Sequence, residues 1–136
     1  SSHGKNFVKT MLCLSKTKNK LKIVADQIGG PTYARDLAAI CIQIIKELKL
    51  DPNKSGTYHY SGKPDVSWAE FASEIFNQAD IKTYIKPIYS SNYPTIAKRP
   101  LNSRLDYNKI KQVFGIIQPK WRESLKHILR ELKVKL

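Results

Sequence analysis

Apolar residues recur along this chain at two spacings, one helical and one extended. From Phe7 to Leu14 the positions Phe7, Val8, Met11, Leu12 and Leu14 repeat every three or four residues, which predicts a short helix with Lys9 outside. The strongest pattern runs from Thr32 to Leu48. There Leu37, Ile40, Cys41, Ile44, Ile45 and Leu48 form one stripe, and Arg35, Asp36, Gln43, Lys46 and Glu47 lie off it. Ser67 and Glu70 stand at the spacing at which each side chain satisfies the other's free backbone N–H, with Val66 and Phe71 at the flanking staple positions. A helix is expected there, burying Trp68, Phe71, Ala72, Ile75 and Phe76. Asp106 suits the cap of a helix carrying Ile110, Val113 and Phe114 that Gly115 stops, and Pro119 precedes a last helix with Trp121, Leu125, Ile128, Leu129 and Leu132 on one face.

Shorter segments read as strands. Leu21 to Ala25 contains β-branched Ile23 and Val24 and runs into Gly29-Gly30-Pro31, which continues neither strand nor helix. Thr57 to Tyr60 stops at Ser61-Gly62, and Thr83 to Tyr89 contains Pro87, which confines it to a sheet edge or ends it early. Ser90 to Pro100 is irregular and proline-bounded, the kind of loop that often carries function. The sum is a helix-rich α/β fold with about five helices and a few short strands, in one region covering residues 1–136.

Composition narrows the chemistry. At 136 residues and 41% hydrophobic content the chain supports one modest core. No apolar stretch approaches the roughly 18 residues of a membrane span, and Ser1 to Leu14 lacks a secretory pattern, so the expected compartment is the cytoplasm. Cys13 and Cys41 occupy apolar-face positions and are expected as buried thiols rather than a disulfide. The net charge of +13 raises nucleic acid, an acidic membrane surface or an anionic substrate as partners. Nineteen of the 24 basic residues are lysines, dispersed apart from Lys16, Lys18, Lys20 and Lys22, and arginines that could read bases are scarce. The chain contains no G-x-G-x-x-G, P-loop, C-x-x-C, H-E-x-x-H or G-x-S-x-G pattern, and His3, His59 and His127 are isolated. No catalytic residue, metal ligand or cofactor site of its own is expected.

Three segments carry a resemblance: Gly4-Lys5-Asn6-Phe7-Val8-Lys9-Thr10-Met11-Leu12, the run from Val24 through Asp26-Gln27-Ile28-Gly29-Gly30-Pro31-Thr32 to Ala38, and Arg99-Pro100-Leu101-Asn102-Ser103-Arg104-Leu105. In this order and spacing the chain resembles the C-terminal half of dTDP-4-dehydrorhamnose reductases, of the short-chain dehydrogenase/reductase superfamily. The resemblance implies a complete enzyme that reduces dTDP-4-dehydrorhamnose to dTDP-rhamnose for surface polysaccharide such as lipopolysaccharide. It implies NADPH or NADH held by an N-terminal Rossmann half that this chain lacks, together with a Tyr-x-x-x-Lys pair also outside it. This region is then inactive alone, its partners being the nucleotide-sugar and the Rossmann half, with apolar edges that predict self-association as a homo-oligomer.

Within that resemblance Arg99 is the candidate diphosphate ligand, because a planar guanidinium suits a diphosphate and Pro100 fixes the backbone beside it. Asn102 and Ser103 supply further hydrogen-bonding groups, and Asp26 and Gln27 end a strand where α/β frameworks meet ligands. The plainer alternatives are a surface arginine in a proline turn for Arg99 and local turn capping for Asp26. Lys98 and Arg104 read as solvated charges, and Trp68 and Trp121 as packing residues. Two rival functions stay open: a basic nucleic-acid-binding domain, and a non-catalytic regulatory protein of the same fold.

Overall fold

The side chain of Asn6 accepts the Lys9 backbone N–H at 3.0 Å and so opens the first helix, α1 (Phe7–Ser15), which buries Val8, Met11 and Leu12. This computed structural model describes residues 3–95, 97 and 99–133. Next come β1 (Lys20–Val24), β2 (Ile28–Gly29) and the long α2 (Ala34–Leu50), followed by β3 (Val66–Ser67), α3 (Trp68–Gln78) and β4 (Tyr84–Ile88). The helices α4 (Asn108–Phe114) and α5 (Trp121–Lys133) complete the described elements. Five helices and four short strands among the described residues match the expected helix-rich α/β class.

Two small sheets organise the strands. β1 and β4 pair in parallel from Lys20 opposite Tyr84 to Val24 opposite Ile88, and β2 pairs antiparallel with β3. The Tyr84 N–H donates to Asn19 O, and the Ala25 N–H donates to Ile88 O, both at 2.9 Å. Backbone groups alternate sides along a strand. The N–H groups of Tyr84, Lys86 and Ile88 therefore face β1, and position 87, which as proline has no N–H, falls on the outer edge of β4. On β1 the same alternation turns the backbone groups of Lys20, Lys22 and Val24 toward an edge that no described strand covers.

Two apolar clusters form instead of the single core expected. The larger joins α1, β1, α3 and α5 through Met11, Leu21, Ala72, Ile75, Phe76 and the inward row of α5. That row is Trp121, Leu125, Ile128, Leu129 and Leu132, as its helical spacing predicts. α3 starts with the full capping box: the Ser67 N–H donates to Glu70 at 2.7 Å, and the Glu70 N–H donates to Ser67 Oγ at 3.1 Å. The smaller cluster holds Ile110, Phe114 and Ile116, with Ile40, Ile44 and Leu48 of α2 packed beside them.

Several expectations are corrected. No residue of α2 is buried, and Leu37 and Ile45 are 42% and 54% exposed, because α4 covers only the Ile40–Ile44–Leu48 row. Cys13 and Cys41 are free, as expected, but both lie exposed rather than buried. Thr57 to Tyr60 is not a strand: Tyr58 packs edge-on against Phe114, with ring centroids 4.9 Å apart, and the segment is anchored by its rings instead of by a ladder. Asp106 accepts the Asn108 N–H at 2.9 Å from one position before the cap, which is Tyr107. Trp121 is buried as expected, whereas Trp68 is 41% exposed.

Candidate functional site

The site grows from the turn after β1. Asp26 accepts the backbone N–H of Ser90 at 2.9 Å and its hydroxyl at 2.7 Å, and Gln27 Nε2 donates to the same Ser90 oxygen at 2.9 Å. The Ser90 hydroxyl therefore connects the two side chains and fastens the start of the long loop to the end of β1. This hydrogen bond, more than the opposing cost of partial burial, holds the Asp26 carboxyl below its ordinary range.

The other end of the loop is fastened one residue further along. The Ile28 N–H donates to Leu101 O at 2.8 Å, the Ser103 N–H donates to Ile28 O at 2.9 Å, and the Ser103 hydroxyl donates to that carbonyl at 3.1 Å. Asn102 sits opposite Ile28 in a parallel bridge, and its side chain accepts the Arg104 N–H at 3.2 Å. Two of the sequence segments singled out above, 75 residues apart at the Ile28–Ser103 contact, thus form one surface.

Glycines set how closely that surface is built. A Cβ on Gly29 would stand 2.6 Å from Ser103 Oγ, and a Cβ on Gly62 would collide with the Pro31 carbonyl oxygen. Ser61 and Gly62 are buried against the Gly30–Pro31 turn, so only bare backbone fits there.

Two spaces open on either side. A half-open cavity of about 380 Å³ lies between the Gly29–Tyr33 turn, the start of α3 and the inner face of α5, lined by Gln27, Ser103, Trp68, Phe71, Trp121 and Ser124 among others. A wider cleft of about 1210 Å³ runs along β1 and the long loop, with Lys18, Lys20, Lys22, Ser90 and Arg99 on its walls. Phe7, Gln27 and Trp68 line both.

Of the five candidate residues, Gln27 and Ser103 reach the cavity, and Gln27 and Arg99 line the cleft. Asp26 and Asn102 are engaged in holding the loop, and the exposed Arg99 stands on the cleft wall. Lys98 lies outside the described residues. Sequence reasoning missed Ser90, whose only sign was its place at the start of an irregular segment, and read Trp68 as core. Asp36, off the apolar stripe of α2, accepts the Ser124 hydroxyl at 2.6 Å and ties α2 to α5 beside the cavity. Among the described residues no group of three or more His, Cys, Asp or Glu could hold a metal ion, and no helix is long and apolar enough to cross a membrane.

An α/β frame with a half-open pocket beyond the C-terminal end of a parallel strand, beside a cationic cleft that runs along that strand, is the build of a small-molecule-binding domain. The chain belongs to the RmlD substrate binding domain family, which matches residues 1–134. It is 47% identical over 133 residues to a dTDP-4-dehydrorhamnose reductase of Aggregatibacter actinomycetemcomitans, covering 93% of this chain and 45% of that protein. It is 40% identical to the spore coat polysaccharide biosynthesis protein SpsK of Bacillus subtilis, over 94% of this chain and 43% of the relative. Among solved structures, a dTDP-4-dehydrorhamnose reductase from Clostridium acetobutylicum superposes with a TM-score of 0.88 at 39% identity, over 96% of this chain and 45% of that one. The enzyme of that name from Bacillus anthracis, in complex with NADP, gives 0.79 at 38% identity, over 95% and 44%. The chain spans just under half the length of these relatives.

Proposed function

We propose that this chain is the nucleotide-sugar side of an NADPH- or NADH-dependent dTDP-4-dehydrorhamnose reductase, acting in dTDP-rhamnose and surface polysaccharide biosynthesis and inactive without a cofactor-binding half. The observation that carries the reading is the clasp of Leu101–Ser103 on Ile28, which sets Gln27 and Ser103 on the cavity while Arg99 stands on the adjoining cleft. Arg99 binds the diphosphate, with Gln27 and Ser103 as neutral donors and acceptors and Asp26 and Asn102 fixing the loop.

The nicotinamide cofactor does not fit the residues present. β1 is followed by Asp26-Gln27-Ile28-Gly29-Gly30-Pro31, where proline removes a backbone donor, instead of the Gly-rich strand-to-helix turn that receives a dinucleotide diphosphate. Two open surfaces support a cofactor half as partner: the uncovered edge of β1 and the Leu37, Cys41 and Ile45 row of α2. Such a half would add a strand to the first and cover the second.

Calorimetric titration of this chain with dTDP, UDP and thymidine tests the reading. Selective dTDP binding that Arg99→Ala weakens about tenfold or more is the expected result, in line with the roughly 1.5–3 kcal/mol of a hydrogen bond to a charged group. Equal weak binding of dTDP and UDP, unchanged in Arg99→Ala, would overturn it.

A further inference from the structure

The fold concentrates the positive charge of this chain. Residues 1–25 and 81–105 together hold eleven of the 24 basic residues and none of the 11 acidic ones, so they supply eleven of the thirteen net charges. The first stretch contributes β1 and the second β4, and their parallel pairing sets the two side by side.

The pairing also sorts their side chains by face. Residues in register on parallel strands point to the same side, and the side alternates along each strand. Leu21, Ile23 and Ile85 lie on the side that packs into the larger apolar cluster. Lys20, Lys22, Tyr84 and Lys86 lie on the other, and all four are exposed. The Lys20 ammonium stands 5.5 Å from the centre of the Tyr84 ring, as neighbours on one face must. Lys22 is in register with Lys86, on strands about 4.8 Å apart, and like charges so placed repel. Neither has an ion-pair partner among the described residues. An anion laid over the face removes that repulsion. The outer side of α5 is basic too, at Arg122, Lys126 and Arg130, but there Glu74 pairs with Arg122, and Glu123 and Glu131 share the helix. Because α5 packs into the same cluster as Leu21 and Ile85, the two basic surfaces lie on opposite sides of the molecule.

The make-up of the sheet face selects among anions. Its cations are all lysines, point charges on flexible stems with no planar fork for bidentate recognition. Tyr84 is 59% exposed, but Lys20 already lies over its ring, which leaves that ring unsuited to stacking a nucleobase. Tyr84 and Lys86 line neither of the two spaces described above. A broad sheet of anionic headgroups needs neither pocket nor fork, and a tyrosine with an apolar body and a polar tip suits its boundary. We propose that the lysine face of the β1–β4 sheet docks on an anionic phospholipid bilayer, giving the chain a peripheral, electrostatic hold on a membrane surface. The face is distinct from the open edge of β1, since a strand added there widens the sheet and leaves its face free. Lys20 and Lys22 also border the cleft, whereas Lys86 does not, so Lys86 is the residue that isolates the proposal.

Sedimentation of the chain with phosphatidylcholine vesicles, with and without about one-third phosphatidylglycerol, is the test. The chain should pellet with the anionic vesicles alone and return to the supernatant as salt rises. Lys86→Gln should lower the partition about fivefold, the factor for one lysine at an anionic surface, and Lys20→Gln, Lys22→Gln and Lys86→Gln combined should lower it about a hundredfold. Lys126→Gln with Arg130→Gln, which takes charge from the far side, should change it less than about twofold, because screening limits the reach of the attraction. If the α5 pair costs as much as Lys22→Gln with Lys86→Gln, the vesicles read net charge alone and the proposal is overturned. A wild-type chain that stays in the supernatant at low salt overturns it as well. Tighter binding of a single-stranded oligonucleotide than of the vesicles, with the same loss in Lys86→Gln, would overturn it in favour of nucleic acid.

Discussion

Ser90 fastens the long loop to the first strand, and its hydroxyl both receives from Gln27 and donates to Asp26. Because the folded state holds the Asp26 carboxyl below its ordinary value of 3.8, the associated stabilisation is present at neutral pH and is lost as pH falls through the carboxylate range. Glu70, held down first by the Ser67 backbone N–H, acts in the same direction. Ser90→Ala should therefore raise the Asp26 pKa, read by NMR titration of its carboxyl, and flatten the acid limb of the stability curve. Gly62→Ala should cost about 1–3 kcal/mol in denaturant unfolding, since a methyl group there meets the Pro31 carbonyl. The sequence announced these positions unequally. Gly29-Gly30-Pro31 was visible as a break in pattern, but its reason is contact with Ser61, Gly62 and Ser103, and Ser90 finds Asp26 across 64 positions of chain. Local spacing carries no information about such meetings.

Among the elements, α5 and α2 make the instructive pair. Both show an apolar stripe at helical spacing, but α5 finds α1, α3 and β1 waiting for it, and α2 finds only the smaller cluster around α4. Leu125→Ala should cost about 2–5 kcal/mol, the range for a buried leucine that leaves a cavity. Ile45→Ser should lie within roughly 0.5 kcal/mol of wild type in this chain, as surface substitutions do. Paired denaturant curves for the two variants check the contrast. Periodicity reveals which face of a helix is apolar, and the capping box locates where one begins. What covers the face depends on partners elsewhere, and that is why Cys41 and Trp68, expected to be buried, are exposed.

At the level of the whole molecule, the parallel pair β1–β4 has two unlike borders. Pro87 puts a residue without an N–H on the outer side of β4, while the outer side of β1 keeps its donors and acceptors at Lys20, Lys22 and Val24. A sheet of this kind can be lengthened in one direction only. Two copies meeting β1 to β1 would make a four-stranded sheet whose ends are both proline-bearing, so association should stop at the dimer and not run on into fibres. Sedimentation of the chain at rising concentration should show monomer and dimer alone, and Lys22→Pro, which removes a donor from the open border without touching the ladder to β4, should leave only monomer. The dimer and a complex with a cofactor-binding half would compete for the same strand. Adding that half should therefore dissolve the pair, and sedimentation of the mixture checks it by the loss of the dimer.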